Sequence, residues 1–161
     1  MQIFLKFWIK RMLPKTHAFF GFLFSITFFL IFPEIGYFGF LIIWVASIFI
    51  DVDHYLFYII TKKDVSLRNA YRYFIKMNNL HNNLSRKEKR KLSYNVFCIF
   101  HGIETILVLV LLSLFHRIFL YILIGFIFHE GLDFIYLIYH GYKLNHVGSQ
   151  TYNILNYKKR F

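Results

Sequence analysis

Four long apolar segments constrain the fold of this chain more than any other feature of its sequence. They cover residues 18–32, 35–50, 94–115 and 118–139. A helix needs about 20 apolar residues to cross a bilayer, so the first two segments reach that length only with flanking residues. Because 58% of all residues are hydrophobic, the sequence predicts an all-α, polytopic membrane bundle of about four transmembrane helices. We expect residues 1–161 to form a single membrane domain.

The positions of the basic residues predict an orientation for these helices. Of the 19 Lys and Arg residues, only Arg117 lies in a connection expected to face outward. Because cytoplasmic flanks carry the excess of Lys and Arg, both termini and the basic loop 61–93 should be cytoplasmic. This distribution explains the net charge of +11 without nucleic acid, which is not expected as a partner.

Two polar segments are expected to lie at the membrane surface. Residues 1–16 alternate basic and apolar side chains at the spacing of a basic amphipathic helix. The loop 61–93 is predicted to contain a second, short interfacial helix, followed by a polar linker over residues 78–91. The lipid bilayer is therefore the first predicted partner.

Ionisable side chains inside the apolar segments are the second constraint, because such groups are costly in lipid unless they are paired or bound. The helical rise of about 1.5 Å per residue places one such residue from each segment at a common depth, about 21–24 Å from its outer end. Further His, Asp and Glu residues lie within about one turn of that level. The candidate metal ligands are His17, Asp51, Asp53, His54, His101, Glu104, His129 and Asp133.

Residue spacing in the last two apolar segments favours one shared site. His101 and Glu104 are three residues apart and His129 and Asp133 are four apart, so each pair would share a helical face. Imidazole and carboxylate together suit zinc, with manganese and iron as alternatives, whereas magnesium and calcium prefer oxygen alone. The set predicts two or more divalent ions that activate water. Each ligand alone has a structural alternative, such as a buried hydrogen bond, and Cys98 is interpreted as a packing residue.

The ordered motifs of these segments resemble the prokaryotic membrane-bound, metal-dependent hydrolase family. The resemblance covers roughly residues 14–60 and 95–139. The chain departs from the family at Ile50, where many members have proline, and at Glu104, where the motif after His101 differs. The pattern is also distantly similar to zinc-dependent phospholipase C. The motifs that carry the resemblance read Thr16-His17, Asp51-Val52-Asp53-His54, His101 and His129-Glu130-Gly131-Leu132-Asp133.

The resemblance implies a hydrolase embedded in a prokaryotic plasma (inner) membrane, which cleaves the phosphoester of a lipid or lipid-linked substrate by metal-activated water. Asp51, Asp53 and Glu104 are the expected catalytic carboxylates. Arg68 and Arg72 would bind the phosphate oxygens of the substrate, since guanidinium groups pair well with phosphate.

Two alternatives are open at the level of the sequence. The motif from His129 to Asp133 is similar to a zincin helix with its second histidine replaced, which would make the chain a membrane metalloprotease with Glu130 as base. A non-enzymatic metal or proton transporter could use the same intramembrane residues as a permeation path. The requirement for Glu130 separates the protease from the phosphoesterase, because only the protease needs that carboxylate.

Overall fold

The fold is all-α in the part of the chain that the computed structural model describes, residues 14–91, 98–144 and 148–152. The prediction of an all-α fold is therefore confirmed. The amphipathic helix expected near the N-terminus lies almost entirely outside the described residues. The helices are α1 (Pro14–Ile31), α2 (Gly36–Phe49), α3 (Val52–Lys62), α4 (Leu67–Asn82), α5 (Arg86–Lys91), α6 (Ile103–Ser113) and α7 (Arg117–His140), with a 3-10 turn at Pro33–Ile35.

Within the described residues, three helical stretches are long and apolar enough to cross a membrane: Pro14–Ile31, Pro33–Lys62 and Arg117–His140. Helix α6 is apolar but has only 11 residues. It begins late because Gly102 is extended, with φ −127° and ψ 151°. The helices thus support a membrane protein, while a fourth full span over residues 94–115 stays a prediction.

The surface of the bundle is more apolar than that of a soluble protein. Large apolar residues face outward, and Tyr37 and Leu114 are 81% and 78% exposed. A monomeric soluble protein rarely exposes a large contiguous apolar surface, whereas helices surrounded by lipid do so throughout their length. In the part of the chain that the structure describes, the buried polar residues are Thr16, His17, Ser25, Ser47, Asp53, Lys89, His101, His129, Asp133 and Gln150.

Small residues bring α2 close to both of its neighbours, α1 and α7. A Cβ atom added at Gly125 on α7 would lie 2.6 Å from the backbone oxygen of Ile43 and 2.8 Å from the Cβ of Ala46. Gly21 on α1 faces Ser47 on α2 in the same way. Small side chains allow such backbone approach between membrane helices. Helix α2 is therefore held between α1 and α7, and α6 packs on the free side of α7.

The polar segment after α3 is more regular than the sequence suggested, because α4 continues to Asn82 and α5 follows it. Two local capping motifs explain the difference. The Ser66 hydroxyl accepts the Asn69 amide at 3.3 Å at the start of α4. At the start of α5, the Ser85 amide donates to Glu88 at 2.8 Å and the Glu88 amide donates back to the Ser85 hydroxyl at 3.3 Å.

Asp64 closes the turn between α3 and α4, and we expect this turn to loosen in acid. The Asp64 carboxylate accepts hydrogen bonds from the Tyr58 hydroxyl at 2.6 Å, the Ser66 amide at 2.9 Å and the Asn69 side chain at 2.9 Å. These bonds, that of Tyr58 first, lower the pKa of Asp64. Because the folded pKa is lowered, the stabilisation is complete above pH of about 4 and is lost as the pH falls through the folded value.

Hydrogen exchange at the Ser66 amide measures this effect. Its protection factor should fall as the pH drops below about 4 in the wild type, and should be low at every pH in Asp64→Asn. The matched control is Glu34→Gln, which changes an exposed carboxylate in the 3-10 turn. A wild-type pH profile in Asp64→Asn would show that the turn does not depend on this carboxylate.

Candidate metal centre

The predicted ligands, with the exception of Glu104, converge where four parts of the chain meet. These parts are the start of α1, the junction of α2 and α3, the turn before α6 and the inner face of α7. Three overlapping groups of these side chains have ligand atoms close enough together to hold a metal ion. The predicted ligands that the structure brings together are His17, Asp51, Asp53, His54, His101, His129 and Asp133.

Four of these residues, Asp51, His101, His129 and Asp133, are called the central set, because both carboxylates lie close to the facing Nε2 atoms of the two histidines. His101 Nε2 lies 3.2 Å from His129 Nε2 and 3.7 Å from both Asp51 Oδ1 and Asp133 Oδ2. His129 Nε2 lies 3.7 Å from Asp51 Oδ1 and 3.6 Å from Asp133 Oδ2. A tetrahedral zinc ion with bonds of about 2.0–2.2 Å separates its ligand atoms by about 3.3–3.6 Å. Each carboxylate oxygen therefore lies from the two imidazole nitrogens at about the spacing of neighbouring ligands on a tetrahedral ion.

The hydrogen bonds behind the two central imidazoles direct their Nε2 atoms to the same point. His129 Nδ1 lies 2.7 Å from the backbone oxygen of Ser47, which can only accept, so this nitrogen carries the proton. His101 Nδ1 faces Asp53 Oδ2 at 3.0 Å and donates in the same way. In neutral rings both Nε2 atoms then present lone pairs to each other and to two carboxylate oxygens. These electron-rich atoms repel one another unless a cation lies between them.

A break in the helix makes the Ser47 carbonyl available to His129. In a continuous α-helix the amide of Asp51 would bond the carbonyl of Ser47, four residues earlier. Here the Asp51 amide bonds Ile48 at 3.2 Å instead, and α2 ends at Phe49. The break therefore provides an acceptor for the imidazole and also places the Asp51 carboxylate beside it.

Asp53 fixes both His101 and the turn that carries it. Its Oδ2 accepts hydrogen bonds from the Phe100 amide and from His101 Nδ1, each at 3.0 Å. Its Oδ1 lies 2.8 Å from His54 Nδ1. Because residues 98–102 are not helical, this buried carboxylate supplies the contacts that a helix would otherwise provide. A carboxylate that orients a ligating histidine is a common feature of metal sites.

His17 closes the centre on the side of α1. Its ring stacks on that of His129 with centroids 3.8 Å apart, and its Nε2 lies 3.3 Å from Asp133 Oδ1. Its Nδ1 and the Oδ2 of Asp51 are buried and lack a hydrogen-bond partner in the described part of the chain. Buried polar atoms normally have partners, so these two atoms are spare ligand positions next to the central set.

Glu104 lies outside the centre. The sequence predicted that one helix carries both His101 and Glu104, but α6 begins at Ile103, after His101. Gly102 between them is extended, so the spacing of three residues no longer places the two side chains on one helical face. The Glu104 carboxylate instead accepts hydrogen bonds of 2.6, 3.1 and 3.1 Å from residues 149–151. The geometry gives no support to its expected roles as ligand and catalytic carboxylate.

Arg68 and Arg72 are exposed on α4. Arg72 borders a shallow groove whose other lining residues are Ile75, Lys76, Asn79, Leu80 and Asn83. Among the described residues, no hydrogen bond or ion pair connects either guanidinium to the central set. Their role in binding phosphate stays a prediction.

Cys98 is the residue near the centre that the sequence analysis missed. It is fully buried, and its sulfur lies 3.6 Å from His54 Nδ1. Its position three residues before His101 was the available signal in the sequence. That signal is weak, because a single cysteine in an apolar segment is usually a packing residue.

The contacts of Glu104 predict that it holds the C-terminal segment 148–152 against His101. In this segment Gln150 is buried and its side-chain amide donates to the His101 carbonyl at 3.0 Å. In Glu104→Ala we expect the Gln150 and Thr151 amides to lose about 10–100-fold in hydrogen-exchange protection, because a hydrogen bond to a charged group contributes about 1.5–3 kcal/mol. Exchange measured by mass spectrometry, with Glu34→Ala as control, tests this. Unchanged protection would show that other contacts hold the segment.

Comparisons with protein-family models, with curated proteins and with solved structures found no match. They therefore leave the expected family relationship as a prediction. The function has to be argued from the residues of the centre.

Proposed function

We propose that this chain is a membrane-embedded, metal-dependent hydrolase that cleaves a phosphoester of a lipid or lipid-linked substrate. The observation that carries the proposal is the central set, whose two imidazole nitrogens lie 3.2 Å apart and 3.6–3.7 Å from each of two carboxylate oxygens. Zinc is the first choice for such a mixed nitrogen and oxygen site, with manganese and iron as alternatives. A bound ion would supply an activated water and would polarise a phosphoryl oxygen.

The spare ligand atoms favour a catalytic centre over a purely structural one. A structural zinc site is closed by four protein ligands, whereas a catalytic site keeps a position for water or substrate. Asp51 Oδ2 is available to shift the coordination of its carboxylate. Asp133 directs Oδ1 to His17 and Oδ2 to His101 and His129, so both of its oxygens would be available to hold ions. Two neighbouring ions would clamp both oxygens of an in-line displacement at phosphorus.

The position of the centre fits a substrate that arrives from the membrane surface. The side chains of Asp51 and His54 are 16% and 25% exposed, so this edge of the centre is open. Helix α3 begins at this edge, and the basic residues of α4 and α5 come after α3 in the chain. Basic segments beside a membrane attract anionic headgroups, which supports a phosphate-containing substrate. With the charge distribution of the whole chain, this also supports both termini and the centre on the cytoplasmic side.

One observation favours a second candidate, the membrane metalloprotease. Both carboxylate oxygens of Glu130 are buried without a hydrogen-bond partner among the described residues. Glu130 follows His129 directly, as the general base of a zincin follows its first histidine. It does not belong to any of the groups that could hold a metal. An unpaired buried carboxylate at this position is available to act as a base.

Reconstitution into liposomes separates the two candidates. The full chain is stripped with a chelator, reloaded with Zn²⁺ and offered vesicles containing phosphatidic acid, phosphatidylglycerol or a polyprenyl diphosphate. We expect metal-dependent release of phosphate or of a phosphorylated headgroup, retained in Glu130→Gln. The protease candidate instead predicts metal-dependent cleavage of an unfolded protein substrate that Glu130→Gln abolishes. Activity that does not depend on metal would contradict both.

A further inference from the structure

A second group of ligand-type side chains lies beside the central set: Asp53, His54, Cys98 and His101, here called the thiolate group. Their ligand atoms all lie within 4.8 Å of one another. The Cys98 sulfur is 3.6 Å from His54 Nδ1 and 3.9 Å from His54 Nε2. Asp53 Oδ1 is 2.8 Å from His54 Nδ1. Three separate parts of the chain thus bring a sulfur, two imidazoles and a carboxylate together.

The separation of sulfur and nitrogen is that of two ligands on one ion. Zinc bonds of about 2.3 Å to sulfur and about 2.0–2.1 Å to nitrogen place these two atoms about 3.6 Å apart in a tetrahedron. Cys98 and His54 have this separation. The contacts of Asp53 with His54 and His101 are shorter hydrogen bonds, at 2.8 and 3.0 Å. An ion would replace the first of them, and the second would continue to orient His101. A packing cysteine would be expected among apolar side chains and not against an imidazole and a carboxylate.

His101 joins the thiolate group to the central set. Its Nδ1 faces Asp53 at 3.0 Å, and its Nε2 faces His129 at 3.2 Å. Cys98 and Asp133 each lie in only one of the two groups, whereas Asp51 Oδ1 also lies 4.0 Å from His54 Nδ1. The two groups are therefore adjacent positions in one centre.

We propose that Asp53, His54 and Cys98 bind a second transition-metal ion through a thiolate, while His101 Nδ1 keeps its proton and its hydrogen bond to Asp53. Binding replaces the thiol proton, so the Cys98 thiol and a divalent ion give a metal thiolate and one proton released to solvent. Thiolate ligands select zinc, iron and related thiophilic ions, and exclude magnesium and calcium. This inference extends the proposed metal centre, but it requires no hydrolytic activity.

Cobalt spectroscopy tests the thiolate directly, because Cys98 is the only cysteine in the chain. Addition of Co²⁺ to the purified full chain should produce the near-ultraviolet thiolate-to-cobalt charge-transfer band. Elemental analysis should find about two ions per chain, since each group has three or four ligands. Cys98→Ser should lose the band and about one ion. The matched control is Asp133→Asn in the central set, which should lose the other ion and keep the band.

A second test uses the wild-type chain, so its result does not depend on whether a variant folds. Bound Zn²⁺ should slow alkylation of wild-type Cys98 by N-ethylmaleimide, whereas Mg²⁺ should not. Absence of the charge-transfer band in the wild type, or its persistence in Cys98→Ser, would overturn the inference, as would alkylation that Zn²⁺ does not slow. A normal cobalt band in a chain without hydrolytic activity would contradict the proposed function and leave the thiolate site intact.

Discussion

Replacing Asp51 with alanine is expected to remove the central metal ion and to lower hydrolysis more than about 100-fold, because even indirect partners of metal ligands contribute about 10–100-fold. Asp51 Oδ1 lies 3.7 Å from the Nε2 atoms of both His101 and His129, so its loss opens one side of the central set. Elemental analysis of the purified chain and the liposome assay measure the two effects. Glu34→Ala, which removes an exposed carboxylate from the 3-10 turn, is the matched control.

The structure also distinguishes this effect from simple loss of a helix cap. Asp51 stands at the N-terminus of α3 but makes no capping hydrogen bond with its side chain. The variant should therefore keep the helix and the fold, and its circular dichroism spectrum should match that of the wild type. Wild-type metal content in a folded Asp51→Ala chain would contradict the central set as a metal site.

Replacing Gly125 with leucine is expected to destabilise the bundle and to disable the centre at the same time. A side chain at this position meets the backbone oxygen of Ile43 at 2.6 Å, and backbone cannot move aside as a flexible side chain can. Overpacking of this kind costs about 1–3 kcal/mol or more. His129 lies one turn further along α7, so separation of α2 from α7 would also break its 2.7 Å hydrogen bond to the Ser47 carbonyl.

The same helix provides the control for this prediction. A Cβ atom added at Gly131 has no neighbouring atom within 4 Å. Gly131→Leu should therefore be neutral or slightly stabilising, since leucine favours a helix over glycine by up to about 1 kcal/mol. Thermal unfolding in detergent and metal content should separate the two variants. Equal melting temperatures and metal contents in the two variants would show that neither stability nor metal binding requires the close approach of α2 and α7.

Features of the fold and the site that depend on the periodic spacing of residues could be predicted from the sequence. Apolar runs and helical rise predicted an all-α fold, and placed His17, Asp51, His101 and Asp133 at one level before any tertiary contact was known. The structure brings these residues together. It describes three candidate spans, so the predicted total of about four is supported only in part.

Features that depend on a break in a helix, or on contact between residues far apart in the chain, could not be predicted from the sequence. The pairing of His101 with Glu104 assumed a helix that in fact begins after Gly102. The role of the Ser47 carbonyl depends on the break before Asp51, because a backbone atom has no signature in the sequence. Cys98 meets His54 from 44 positions away along the chain, and no spacing rule covers that distance.

The apolar outer surface of this bundle has a consequence for the axial register of its helices. Lipid is as apolar as the outer faces of α1, α2 and α7, so apolar contacts discriminate poorly between one alignment and another shifted by a helical turn. Such a shift moves α7 by about 5.4 Å and would separate His129 and Asp133 from their partners on the neighbouring helices, which is costly for buried polar groups. The residues of the candidate metal centre therefore also specify the register of the bundle.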